Sequence, residues 1–336
     1  MKATVIVLAY RQQGFVLEAL EAVRSQSIPP SEVIVVDDCS PDDTGKIIGD
    51  YVERYGRDWV FVRKENNGGV VAAVRSGLQN ATGDVIIFAA GDDVSEPDRV
   101  RLTLDFFRDN STIFGVVFGA AVMDRHGKIL DKTVNPLARL PSRHEPQSLS
   151  KQDFLSGLYA CGASSAFRRQ VFDEFPPVRE KAYADDRVYA LRAILLGGCQ
   201  FLPNIMVRWR AHGTNLSCLG GKKRGPHLSG HFHAWVQTFD QHLEDLDFFL
   251  ARQEKYMGGN LVAFRSALEL ERSRYAVLEA CHRPGLEIKA VTVASFHLLS
   301  LSGFNPLVLG RLLKPLLQMA IPYSVQRALA RMRDLL

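Results

Sequence analysis

The sequence predicts an α/β protein: a Rossmann-like central sheet followed by a helical C-terminal extension. Three observations carry this. Short β-branched runs alternate with amphipathic helical segments over residues 1 to about 110, the pattern of parallel strands joined by right-handed crossovers. Acid pairs stand where apolar runs stop, at Asp37-Asp38 and Asp92-Asp93, and open α/β sheets bind ligands at such strand tips. From about residue 228 onward strand signals vanish and the chain reads as helices alone.

Each element follows in order. Thr4-Val5-Ile6-Val7-Leu8 is the first core strand, too short before it turns polar to be a secretory leader. Residues 14–26 place Phe15, Leu17, Leu20 and Val23 at helical steps, and Pro29-Pro30 stops that helix. Residues 33–36 are a buried strand, 44–55 a helix, 59–62 a strand, 70–79 a helix and 85–89 a strand. Pro97 stands near the start of the next helix, where its missing N–H costs nothing. The apolar run 113–123 leads through Asp124-Arg125-His126-Gly127, a hairpin turn, into residues 128–132. Residues 135–149 hold three prolines and read as a loop. A helix over 186–196 closed by Gly197-Gly198 precedes a last strand over 201–208. Long amphipathic helices follow at 235–252 and 261–280, then shorter apolar ones at 286–301, 306–319 and 322–335.

Composition narrows the function classes. The chain has 336 residues, 46% hydrophobic and 23% charged, which fits one globular domain plus an appendage. No apolar run reaches the roughly 18 residues that a spanning helix needs. The five cysteines (Cys39, Cys161, Cys199, Cys218 and Cys281) are scattered with no C-x-x-C pair, as expected of reduced cytoplasmic thiols rather than a zinc site. His227 and His231 have metal-ligand spacing, but no nearby acid or cysteine completes a site with them and His233. The turn after the first strand, Tyr10-Arg11-Gln12-Gln13-Gly14, has one glycine, which argues against a dinucleotide fingerprint. The net charge of +4 resides in residues 285–336, where six basic residues face two acids, so the main domain is balanced and lacks a nucleic-acid-binding stripe. In that tail Arg311 and Lys314 sit among leucines. Either those leucines fill a soluble core, or the helices lie peripherally at a membrane's inner face with basic groups at the head groups.

Several pieces then arrive in a telling order: Ala9-Tyr10-Arg11; Val36-Asp37-Asp38-Cys39-Ser40-Pro41-Asp42-Asp43-Thr44; Asn66-Asn67-Gly68-Gly69 before a helix; Ala81-Thr82-Gly83-Asp84 through Ala90-Gly91-Asp92-Asp93; Ala184-Asp185-Asp186; and Arg208-Trp209-Arg210-Ala211-His212. Over residues 1–220 the chain resembles the family 2 inverting glycosyltransferases of the GT-A fold. The resemblance implies a glycosyltransferase domain over 1–225; residues 226–336 read as a helical region, membrane-associating on the second reading of its tail. It implies transfer from a nucleoside-diphosphate sugar, UDP-linked in most relatives, to a saccharide or lipid-linked acceptor in surface polysaccharide synthesis, with Mn²⁺ or Mg²⁺.

By the same resemblance, Asp38 accepts from the base, Asp37 is structural or near the ribose, and Ala9, Tyr10, Arg11, Asn67, Gly68 and Gly91 line the nucleotide. Arg75 and Arg210 are candidates for the diphosphate. Asp92, Asp93 and His212 are the metal candidates, Asp186 with Asp185 beside it supplies the base, and Gly162, Ala163 and Ser164 lie beneath the acceptor. Asn215, Ser217 and Gly220-Gly221 would belong to a lid. One position departs from the family: its Asp-x-Asp metal motif begins here with Ala90. A catalytically inactive sugar-nucleotide scaffold or sensor is therefore the alternative reading.

Overall fold

The structure is a computed structural model that describes residues 1–56, 58–134, 143–144, 162–182, 185–213, 229–252 and 260–282. The lid candidates, Ala184, His227, the apolar helices expected beyond residue 285 and, apart from residues 143–144, the proline-rich loop fall outside these residues, so the membrane reading of the tail has no structural counterpart here. No helix among the described residues is long and apolar enough to cross a membrane.

The alternation read from the sequence is present. Strand β1 (Ala3–Ala9) leads to α1 (Val16–Arg24), β2 (Glu32–Asp37), α2 (Thr44–Tyr55), β3 (Val60–Arg63), α3 (Gly69–Asn80) and β4 (Val85–Ala90). The short β5 (Val94–Ser95) and α4 (Arg99–Asp109) precede β6 (Gly115–Asp124) and β7 (Ile129–Val134), joined by the expected hairpin with Gly127 at φ +84°. Then come β8 (Arg143–His144), a 3₁₀ turn at Gly162–Ser164, β9 (Ser165–Arg168), α5 (Gln170–Asp173), α6 (Asp185–Leu196), β10 (Cys199–Ala211), α7 (Ser229–Arg252) and α8 (Asn260–His282).

Among the described residues one sheet runs β3-β2-β1-β4-β9-β6-β10-β5, with β7 on β6 and β8 on β10. Its first four strands are parallel, with Leu8 opposite Val36 and Ala90. Beyond β4 the sheet is mixed, because β9 runs antiparallel to both β4 and β6. That strand has four residues and opens on a serine, so it carried no periodic signal. Strand β10 is longer than the expected 201–208 and absorbs Pro203 in a stretch of shifted register against β6, the irregularity that lets a proline sit in a sheet.

Period-two alternation sorts the core into two faces. Val5, Val7, Val33, Val35, Val85 and Ile87 meet α1, α2 and α4 through Leu20, Ile48 and Phe107. Ile6, Ile34, Val36, Ile86 and Phe88 meet α3 and α6 on the other side, where Phe239, Leu246, Phe264 and Leu268 of α7 and α8 join the same cluster. Full burial of each such side chain contributes about 1.5–3 kcal/mol. The first two C-terminal helices thus share the core of the sheet.

Candidate active site

The parallel strands deliver their C-terminal tips to one edge, and the backbone there is specialised. Arg11 and Cys39, just past β1 and β2, both adopt left-handed conformations at φ +56° and +60°, uncommon for residues with a Cβ and concentrated at functional turns. Hydrogen bonds hold the two loops together: the Arg11 N–H donates to Ser40 Oγ at 3.0 Å, the Gln12 N–H to Thr44 Oγ1 at 2.7 Å, and the Asp38 N–H to the Ala9 carbonyl at 3.0 Å. Tyr10 is left exposed on the rim.

Asp37 and Asp38 divide their work. Asp37 is fully buried; it accepts from the Ser40 N–H at 3.1 Å and faces Arg63 at 3.6 Å. Asp38 accepts from the N–H groups of Gly68 and Gly69, at 3.0 and 2.7 Å, and from Lys64 Nζ. Asn67 Nδ2 donates back to the Asp38 carbonyl at 3.1 Å. The carboxylate therefore captures the first free N–H groups of α3, where a helix favours negative charge. Gly69 at φ +77° supplies a conformation that other residues rarely adopt. The sequence reading missed Lys64; its only signal was a cation just past the β3 tip.

The β4 tip turns through Gly91, whose N–H donates to the Leu8 carbonyl at 2.8 Å. A Cβ at Gly91 would lie 2.5 Å from Gln12 Oε1 and 3.1 Å from Ala9 Cβ, so the turn hugs the β1 loop. Asp92 Oδ2 lies 2.9 Å from His212 Nε2, both side chains largely covered. Asp93 Oδ1 accepts the Arg210 N–H at 2.9 Å, and burial with the neighbouring Asp92 charge pushes its pKa well above its ordinary value. Arg210 is buried; its Nε donates to the Asp92 carbonyl at 2.9 Å, Nη2 pairs with Glu18, and the guanidinium lies over the Phe15 ring. The structure brings Asp92, Asp93, Arg210 and His212 together, with Arg210 bracing the turn from behind. Arg99, also buried, donates to the Phe88 carbonyl at 2.6 Å beneath it. Arg75 is directed elsewhere, to Glu180 and the Val178 carbonyl, both at 2.9 Å.

The Gly162–Ser164 turn packs against β4. The Gly162 N–H donates to Asp186 Oδ2 at 3.2 Å, and the Arg187 N–H to Asp186 Oδ1 at 2.9 Å. Asp185 and Asp186 open α6. Burial raises the proton affinity of both; Asp185 is pushed up to about 7, with the Asp186 charge adding to the effect. Ala163 is half-buried and Ser164 fully buried. Behind this pair, Arg192 of α6 and Asp245 of α7 form a buried bidentate ion pair at 2.6 and 2.9 Å, joined by Gln241 at 2.9 Å. Partners 53 residues apart leave no sequence signature.

A stability prediction follows from Asp185. Its folded pKa lies above its ordinary value of 3.8, so the folded state binds this proton more tightly and loses stability as pH rises from about 4 through about 7. Asp185→Asn removes that loss. The melting-temperature difference, variant minus wild type, is expected to grow between pH 4.5 and pH 8; a difference that stays constant with pH refutes it.

Among the described residues no cluster of three or more His, Cys, Asp or Glu is arranged to hold a metal. Asp92 and His212 nonetheless form a converging oxygen and nitrogen pair, a donor set that suits Mn²⁺ or Mg²⁺ when a diphosphate completes the shell.

A parallel first half of the sheet, acid pairs at the β2 and β4 tips and a carboxylate pair opening α6 define the nucleotide-diphospho-sugar transferase fold, GT-A. The chain belongs to glycosyl transferase family 2, whose sequence profile matches residues 4–175. The crystal structure of S. aureus TarS 1-349 in complex with UDP-GlcNAc shares its fold, at a TM-score of 0.54 and 16% identity over 84% of this chain and 82% of that one. The same protein in complex with UDP aligns at 0.54 and 14% identity over 90% and 89%. An uncharacterized glycosyltransferase of Nostoc sp. is 27% identical over 218 residues, 64% of this chain and 66% of its own length. A putative teichuronic acid biosynthesis glycosyltransferase, TuaG of Bacillus subtilis, is 32% identical over 152 residues, 45% and 56% respectively. The matched region thus spans between half and two thirds of these curated relatives.

Proposed function

We propose that this protein transfers a sugar, with inversion, from a nucleoside-diphosphate sugar to a hydroxyl of a saccharide or lipid-linked acceptor in surface polysaccharide synthesis. The observation that carries the reading is a pair of carboxylate stations at β4: the Asp92-His212 couple at its tip, and Asp186, hydrogen-bonded to Gly162 of the turn that packs against that strand. UDP is the favoured carrier, in line with the ligands of the TarS complexes. The teichuronic acid relative points to a bacterial surface polymer.

In this mechanism Asp186 takes the proton of the acceptor hydroxyl as its oxygen bonds to the anomeric carbon. The bond from that carbon to the diphosphate oxygen breaks on the opposite face, and the nucleoside diphosphate leaves with its electron pair. Burial raises the proton affinity of Asp186, which suits a base. The Asp38, Lys64 and Gly68-Gly69 cluster orders the loop under the nucleotide. Asp92 and His212 would hold the divalent cation, which supplies charge neutralisation at the leaving diphosphate.

Melting temperature measured with UDP, with and without Mn²⁺, tests the donor site. Mn²⁺ is expected to enlarge the UDP-induced rise, and chelator or Asp92→Ala to abolish the enlargement. A UDP response indifferent to both removes Asp92 from cation binding. The alternative, an inactive sensor, is motivated by Ala90; it predicts the same binding but no release of nucleoside diphosphate with any acceptor.

A further inference from the structure

The residue that follows the candidate base is tied to the C-terminal helices. Arg187 donates its N–H to Asp186 Oδ1 at 2.9 Å, while its guanidinium carbon lies 4.7 Å from the ring centre of Trp235 on α7. Trp235 is itself packed against Phe239 at 5.9 Å and Tyr275 of α8 at 5.6 Å. An arginine over an indole face is held by the ring quadrupole and by stacking, so one side of the Arg187 site is built by α7 and α8.

We propose that Arg187, fixed against Trp235, is a positioning residue that keeps the partly buried Asp186 carboxylate ionised. This rests on the reading of Asp186 as the base. A buried carboxylate tends to take up a proton, and a base that is already protonated accepts nothing. Asp186 faces that problem through its burial. The Arg187 charge is the leading influence in the opposite direction.

Among the described residues, the other charged groups around α6 have partners of their own. Arg192 is paired with Asp245 of α7, and Arg75 of α3 with Glu180. Tyr189 is buried and its proton is held well beyond the usual phenol range by desolvation and the Asp185 charge. His242 of α7 is buried, and burial together with Arg187 and Arg192 lowers its pKa to about 3, so it stays uncharged. The Gly162–Ser164 turn brings no charge. Among the described residues Arg187, next in the chain and hydrogen-bonded to Asp186 through its N–H, is thus the cation that offsets the Asp186 charge.

The test is a ¹³C-NMR titration of the full chain labelled at the aspartate carboxyls, with Asp186→Asn identifying the resonance. Arg187→Gln is expected to raise the Asp186 midpoint by about one pH unit, and Arg187→Lys to restore most of the wild-type value. Trp235→Leu, which leaves the charge but removes its platform, is expected to raise it by less. The acid limb of kcat/KM should move by the same amount, with the alkaline plateau unchanged. An unmoved midpoint in both Arg187→Gln and Trp235→Leu overturns the proposal, whatever happens to activity. A moved midpoint in a protein that turns over no sugar nucleotide supports it, and defeats instead the functional reading on which it rests.

Discussion

Asp186→Asn is expected to lower turnover by about 10²–10⁴-fold, the range typical for loss of a positioned general base, while the UDP-induced rise in melting temperature stays at its wild-type value. The substitution is nearly isosteric. An asparagine oxygen can still accept from the Gly162 or Arg187 N–H that the carboxylate accepts now, so the local fold has no reason to change. What disappears is a group able to carry the acceptor's proton. Because Asp186 lies on α6 and the donor loops hang from β1, β2 and β4, nucleotide binding and proton transfer should separate cleanly. Wild-type turnover in this variant would exclude Asp186 as the base; loss of UDP binding with turnover would show that it shapes the donor pocket as well.

The second large effect is on stability. Asp245→Ala leaves the Arg192 guanidinium, 1% exposed, without its carboxylate, and uncompensated burial of such a charge costs about 3–5 kcal/mol. Its contact with the Pro176 carbonyl at 2.6 Å and its position over the Phe175 ring offset little of this. Urea unfolding should show the midpoint falling sharply. Replacing both partners with apolar residues, Arg192→Met with Asp245→Leu, should recover most of the loss, because the penalty comes from the orphaned charge rather than from the missing bond. An Asp245→Ala protein within about 1 kcal/mol of wild type would mean that water reaches the pair and that α7 is loosely held.

Much of this was legible in the sequence for a physical reason. A buried parallel strand must be apolar throughout, so the point where Val33-Ile34-Val35-Val36 gives way to Asp37-Asp38 marks a strand tip without any structure. The same holds for Asp92-Asp93, and helical spacing placed α8 to within two residues and α7 with the right end but a start six residues late, at 235 rather than Ser229. Periodicity assigns a residue to a face but does not name its neighbour, and that is where the reading thinned. Arg75 stands on the expected helix yet reaches the Val178 and Glu180 segment. Arg210 was expected to face the diphosphate and instead engages Glu18, Phe15 and the Asp92 carbonyl. The role of Lys64 depends on β2 and β3 being neighbours, and the Arg192-Asp245 pair on α7 crossing α6. Strand β9 was invisible because four residues set no period, although it alone makes the sheet mixed between β4 and β6.

The two halves of the candidate site are completed at different moments in the life of the chain. The loops after β1 and β2 are sealed by bonds between residues about thirty apart, as from Arg11 to Ser40 and from Gly68 to Asp38. The turn at Asp92 and Asp93 is closed by Arg210 and His212, separated by 117 to 120 positions, and β5 has no partner in the sheet until β10 arrives. During vectorial synthesis the loops after β1 and β2 can therefore organise while the turn at Asp92 and Asp93 waits for β10 to leave the ribosome. Nascent chains released before residue 212 would carry the first without the second.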